Sequence, residues 1–186
     1  MRVEYRHFPP VTVFYARSMG PYASSSREAW QQVADWLDRN RARKRIKQAF
    51  GIHRDDPRCT APELLRYDAC VPVMCCADLE LAPGISRQTL SGGAYAVHTH
   101  VGSYEEAGEL LSHLHSEIVP KRALSVDYDR AFLAVYLNDP RVTREVHRRT
   151  ELCIPVLPLP MAAASNDAGE PVERNAAVAR GLALAG

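Results

Sequence analysis

The strongest constraint on this chain is that it repeats itself. An apolar, β-branched run from Val11 to Arg17 leads into Gly20-Pro21-Tyr22, and a similar run from Ala94 to Val101 leads into Gly102-Ser103-Tyr104. The two glycines lie 82 residues apart, and so do Tyr22 and Tyr104. Asp55-Asp56-Pro57 matches Asn138-Asp139-Pro140 at a spacing of 83, and Asp68-Ala69-Cys70-Val71-Pro72-Val73 matches Glu151-Leu152-Cys153-Ile154-Pro155-Val156 at the same spacing. Landmarks in one order at one spacing mark a tandem duplication.

Each copy reads as strand, helix, strand, strand. In the first, strands are expected at 11–17, 48–53 and 66–73, with a helix over 24–40 whose Trp30, Val33 and Leu37 recur at helical spacing. In the second, strands are expected at 94–101, 132–137 and 150–156. The helix there opens on a capping box, Ser103 with Glu106, carries Ala107, Leu110, Leu111, Leu114 and Ile118 on its apolar stripe, and ends by Pro120. The fold class that follows is α+β: duplicated βαββ units with pseudo-twofold symmetry, antiparallel sheets with helices on one face, and a groove at the seam. Repeat one covers about 3–75 and repeat two about 92–157, together one domain over 1–157. The joining segment, 74–93, is expected to hold a short strand near 78–81. Residues 158–186 turn to Ala, Gly and Pro and read as a flexible tail with a weak helix at 172–185.

The totals exclude several functions. With 23 basic and 22 acidic side chains the formal charge is +1, so no global field attracts a polyanion, and direct nucleic-acid binding is not expected. The basic cluster of Arg39, Arg41, Arg43, Lys44, Arg45 and Lys47 has no aromatic interleaving and reads as a solvated helix end. Five cysteines without CxxC spacing imply neither a disulfide framework nor a zinc knuckle, and no apolar run reaches membrane-spanning length. A reducing cytoplasm is the expected location. His98 and His100 share a strand face but lack a third ligand, so no metal is assigned, and no phosphate loop or hydrolase elbow calls for a cofactor.

Strand alternation nominates the groove side chains. Ala69, Val71 and Val73, with Leu152, Ile154 and Val156, form the face expected under the helices. The other face carries Asp68, Cys70 and Pro72, matched by Glu151, Cys153 and Pro155, so two carboxylates are expected to approach one seam. Each has a structural alternative: Asp68 paired with Arg66 or a backbone amide, Glu151 with Arg149 or Arg148. Tyr15, Tyr67, Tyr95 and Tyr136 fall on strands, and Trp30 and Trp36 on the first helix. Trp30 is assigned to the core, whereas a tyrosine hydroxyl needs a partner and suits a groove wall. The candidate ligand-binding set is Glu151, Tyr67, Asp68, Tyr95, Tyr136, Cys153 and Trp36.

Several segments resemble the GyrI-like, or AraC-type effector-binding, domain. They are Arg17-Ser18-Met19-Gly20-Pro21-Tyr22, the turn from Gly51 to Pro57, and Arg66-Tyr67-Asp68-Ala69-Cys70 in the first half. The second half contributes Gly92 to Val97, Gly102-Ser103-Tyr104, Tyr136-Leu137-Asn138-Asp139-Pro140 and Thr150 to Pro155. The resemblance implies a groove between two pseudo-symmetric halves that binds small, often cationic or hydrophobic molecules, as in the sensor modules of AraC- and MerR-type regulators. It also implies that Glu151 is the groove carboxylate. Two positions depart from the family pattern: Ala134 stands where relatives often carry glutamate, and Cys153 where many carry an aromatic.

The resulting reading is a stand-alone domain that binds, sequesters or senses a small molecule, with a regulator as its partner in any transcriptional role. A hydrolase of electrophilic, cyclopropane-type toxins is the alternative, with Glu151 directing water and a tyrosine donating a proton. A gyrase-inhibitor-like module with a topoisomerase partner is the third.

Overall fold

A computed structural model describes residues 1–46, 48–119 and 124–158 of the chain. The expected tail, including its helix at 172–185, lies outside the described residues. The order is β1 (Glu4–Phe8), β2 (Val11–Met19), α1 (Tyr22–Arg39), β3 (Ala49–His53), β4 (Arg66–Pro72), β5 (Ser86–Leu90), β6 (Gly93–Val101), α2 (Tyr104–His113), β7 (Leu124–Val126), β8 (Phe132–Tyr136) and β9 (Arg149–Pro158). One antiparallel sheet runs β1-β6-β9-β8-β3-β4-β2-β5, with β7 added on β9.

That order is a palindrome under the sequence spacing. At its centre β3 pairs with β8, and Gly51 faces Ala134, its counterpart 83 residues on. Outward from there, β4 and β9, then β2 and β6, occupy matching places. Turns repeat as well: Gly20 N–H donates to the Leu65 carbonyl at 2.8 Å, and Gly102 N–H to the Arg148 carbonyl at 2.9 Å. Gly20 and Gly102 hold φ of 128° and 142°, a conformation that L side chains rarely adopt, which is why glycine recurs there.

Each βαββ unit is preceded by one further strand, giving ββαββ. The strand before β2 is β1 and the strand before β6 is β5, again 82 residues apart, and they are exchanged: β1 pairs with β6, and β5 with β2. The joining strand therefore sits at Ser86–Leu90 and not near 78–81. Residues 76–79 turn instead, with Leu79 N–H donating to the Cys76 carbonyl at 2.9 Å, and the Glu80 carbonyl accepts from the Trp36 indole at 3.2 Å. This segment is a loop that satisfies a buried tryptophan.

Cross-strand register fixes the faces. Ala69, Gly51, Ala134 and Leu152 oppose one another across β4, β3, β8 and β9, so they share one face. On that face α1 packs Ala29, Val33, Trp36 and Leu37 against Phe14, Ala69 and Val71. Likewise α2 packs Ala107 and Leu111 against Ala96, Leu152 and Ile154. Burial of the larger of these, Val33, Leu37, Phe14, Val71, Leu111, Leu152 and Ile154, stabilises by about 1.5–3 kcal/mol each. The helical stripe predicted after α2 continues as a π-helical turn, Leu114–Ile118, in which Leu114 is buried. The other sheet face curls on itself around a second core of Val13, Phe50, Ile52, Tyr95, Val97, Leu133 and Val135, drawn from both halves.

Candidate functional site

On the helix-bearing face α1 packs over β2 and β4 and α2 over β9 and Ala134 of β8, so the central pair β3 and β8 lies between the two helices. The floor there is small, Gly51 beside Ala134. Aromatic side chains from both halves stand over it. Tyr67 (β4), His53 (β3) and Tyr22 (start of α1) come from the first half, with Tyr22 and His53 ring centroids 4.7 Å apart and His53 and Tyr67 5.2 Å apart. Tyr136 (β8) and Tyr104 (start of α2) come from the second, 5.0 Å apart, and Trp30 meets Tyr136 edge-on at 5.5 Å. Tyr67 is buried, while Tyr22, Trp30, Tyr104 and Tyr136 are half-buried and present ring surface.

Hydrogen bonds tie the centre together. The Tyr67 and Tyr136 hydroxyls lie 2.8 Å apart, and the Trp30 indole donates to the Tyr67 hydroxyl at 3.1 Å. Burial pushes the phenols of Tyr22 and Tyr104 up to about 12, so both are neutral donors at physiological pH. Burial also lowers His53 to about 4, so its imidazole is neutral too. The buried His53 Nδ1, Tyr104 hydroxyl and Thr150 hydroxyl find no hydrogen-bond partner among the described residues. An aromatic surface over a small floor, with polar atoms left over at its edges, is suited to holding a flat apolar molecule and fixing its orientation.

The sequence-derived candidates divide between the two sheet faces. Tyr67 and Tyr136 meet in this cleft. Trp36 does not: it is the core residue of α1, 1 % exposed, and Trp30 takes the cleft position instead. Six residues, about 1.7 turns, separate the two tryptophans, which therefore point roughly 120° apart. Trp30, expected in the core, stands at its rim because apolar spacing alone does not say which residue of a stripe lies at the edge.

Tyr95, Cys153, Asp68 and Glu151 lie on the opposite face. Tyr95 packs in the second core, under the Arg130 guanidinium at 5.0 Å. Cys153 is buried there, and desolvation drives its thiol well above the ordinary range. Asp68 is fully buried between Arg17 at 2.6 Å and Arg54 at 2.8 Å, and not beside Arg66. Glu151 pairs with Arg6 of β1 at 2.7 Å rather than with Arg149 or Arg148. The two carboxylates do not converge, since the row through Asp68 runs by Ile52 and Leu133 to Cys153. Alternation sorts the residues into two faces; it does not say that the rings of Tyr22, Trp30, Tyr104 and Tyr136 gather on the helix face.

A family model for the GyrI-like small molecule binding domain matches residues 1–157. The chain belongs to that family. Among curated relatives, the GyrI-like domain is 43 % identical over 63 residues to the probable transcriptional regulator YgiV of Escherichia coli, an alignment spanning 32 % of this chain and 36 % of that protein. It is 32 % identical over 100 residues to a DNA gyrase inhibitor of Edwardsiella piscicida, spanning 52 % of this chain and 62 % of that one. The chain thus matches less than two thirds of the length of these relatives. Among solved structures, the EcmrR C-terminal domain superposes with a TM-score of 0.64 at 13 % identity, covering 84 % of this chain and 98 % of that one. The shared fold is a mixed α/β domain on a curled antiparallel sheet.

Proposed function

We propose that this GyrI-like domain is a small-molecule receptor whose ligand lies in the aromatic cleft between α1 and α2. The observation that carries this reading is the set of half-buried rings, Tyr22, Trp30, Tyr104 and Tyr136, gathered over the Gly51–Ala134 floor where the two halves meet. Membership in a small-molecule-binding family supports it, as does the pairing of Tyr67 with Tyr136 across the midline. The domain senses or sequesters; a ligand that orders the cleft couples the two helices, and a partner protein reads the change. In the sheet rows beneath the cleft the central floor residue is Ala134, so no carboxylate faces the ligand from that position.

The test is a thermal-shift screen with aromatic compounds, since a ligand that binds only the folded state raises the melting temperature. Each stabilising compound is then titrated against Tyr136→Ala and Tyr104→Ala. Stabilisation of the parent that is lost in both variants is the expected result. Compounds that stabilise all three proteins equally would move the site elsewhere.

A further inference from the structure

The duplication supplies an internal control, because each cleft residue of one half has a counterpart in the other. Tyr22 corresponds to Tyr104. The Tyr22 hydroxyl donates to the Asp55 carbonyl at 2.6 Å and accepts from the Asp55 N–H at 3.0 Å. The Tyr104 hydroxyl is buried with no partner among the described residues. Tyr67 corresponds to Thr150. Tyr67 is bonded to Trp30 and Tyr136, whereas Thr150 is 0 % exposed with its hydroxyl unpaired among the described residues. Leu65, a buried apolar residue, corresponds to Arg148. Arg148 lays its guanidinium 5.1 Å from the centroid of the Tyr104 ring, and its buried Nε likewise has no partner among the described residues.

These three groups are neighbours. Arg148 stacks on Tyr104, Tyr104 meets Tyr136, and Tyr136 opposes Thr150 in the β8–β9 register. Arg148 and Thr150 are two residues apart on one extended stretch, and so share a face. Folding leaves a buried polar group unpaired only at a cost. Among the described residues three such groups stand together in the second half of the cleft, where the first half of the cleft leaves one, His53 Nδ1. Arginine Nε can only donate, and both hydroxyls can donate. Asp139, the acid whose charge acts on the Tyr104 phenol, is engaged by Arg141. Glu145 reaches Arg148 Nη1 at 3.5 Å, a long contact from an exposed side chain that leaves Nε free to serve the cleft.

We infer that the second half of the cleft is built for the anionic acceptor group of an aromatic ligand, such as an aromatic carboxylate, received by Arg148, Tyr104 and Thr150. This rests on the aromatic cleft being the binding site. The ring stacks against Tyr104, Tyr136 and Trp30, and the carboxylate takes the donors that the protein leaves unpaired. Charge-assisted bonds of this kind are the strong ones.

Calorimetric titration with 2-naphthoate, 2-naphthalenemethanol and 2-naphthylmethylammonium tests it on the full chain. These probes share one ring system and differ in charge. The carboxylate is expected to bind at least about tenfold more tightly than the ammonium, the scale of one charged hydrogen bond. Arg148→Leu, which installs the residue of the other half, is expected to erase that preference while retaining the neutral alcohol. Tyr104→Phe, which removes one hydroxyl, is expected to weaken the carboxylate severalfold more than the alcohol, and it serves where Arg148→Leu fails to fold. An ammonium probe that binds as tightly as the carboxylate overturns the inference, as does a preference that survives both substitutions. Three probes bound equally would leave the cleft reading standing and remove this one. No binding by any of them, with aromatic compounds from the wider screen also inert, would remove both.

Discussion

Tyr67 folds its phenol so closely over Gly51 that a Cβ on that glycine would collide with the hydroxyl oxygen and stand 2.9 Å from the hydroxyl of Tyr136. Neither oxygen is free to retreat, since they bond each other at 2.8 Å and Tyr67 also holds Trp30. Glycine is therefore required at the midline of the sheet by close approach and not by backbone conformation. Gly51→Ala is expected to lose about 1–3 kcal/mol of stability, the usual cost of overpacking. Urea denaturation measures it. A loss under about 0.5 kcal/mol, typical of an unconstrained surface site, would show that the tyrosine pair is not held there.

Asp68 should control the acid limb of the stability curve. Burial raises its carboxyl, but the hydrogen bond from Arg17 and the charge of Arg54 overcome that and hold it below the usual carboxylate range. A depressed folded pKa means that the stabilisation is present above the unfolded value, about 3.9, and is lost as pH falls through the folded value. Asp68→Asn is expected to cost about 3 kcal/mol at neutral pH, because two arginines lose their counter-charge. It should also flatten the fall in stability below about pH 4. An unchanged acid limb would assign that limb to other carboxylates.

His53 acts in a separate window. Its folded pKa is lowered by burial from 6.5 to about 4, so below 6.5 the unfolded chain takes up a proton that the folded chain refuses. Stability is therefore expected to decline as pH falls from about 6.5 towards about 4, by no more than about 3 kcal/mol, and then to level for this group. Thermal melts of His53→Phe across that range should show a shallower decline. Equal slopes in both proteins would mean that the imidazole reaches water and titrates normally.

How much of this was legible in the residues differs between fold and site. The spacing of Gly20 and Gly102, and of the two proline turns, carries the succession of strand, helix, strand and strand in each unit, because similar local patterns fold into similar local units. The exchanged strands β1 and β5 were not legible. Glu4–Phe8 and Ser86–Leu90 are edge strands with polar faces, and nothing local tells an edge strand which half will receive it. For the site, alternation separated Tyr67 from Asp68, and Leu152 from Glu151. It does not tell on which face the aromatic rings of the two halves gather, since that depends on where the two helices sit, a tertiary fact. Arg148 and Thr150 carry a signal in the sequence, since each breaks the repeat where the first half has Leu65 and Tyr67. Tyr104 matches Tyr22 in the sequence and differs only in its hydrogen bonding, which the sequence does not show.

Glu151 decides between the two faces as the ligand site. It sits with Cys153 over the second core and pairs with Arg6 at 2.7 Å, with Arg6 38 % and Glu151 13 % exposed. An ion pair that open to solvent on one side contributes about 1 kcal/mol or less. Glu151→Gln should therefore melt only slightly below the parent. Thr150 directs its side chain to the helix face and Glu151 to the other, so the sheet itself separates Glu151 from the cleft. Affinity for 2-naphthoate, and for any ligand found by the screen, is expected to change by no more than about twofold, as for sites without shared partners. Calorimetry on parent and variant provides the measurement. A loss of about tenfold or more, confined to cationic ligands, would place the binding site against β1 and β9 and return to Glu151 the role of receiving a cation.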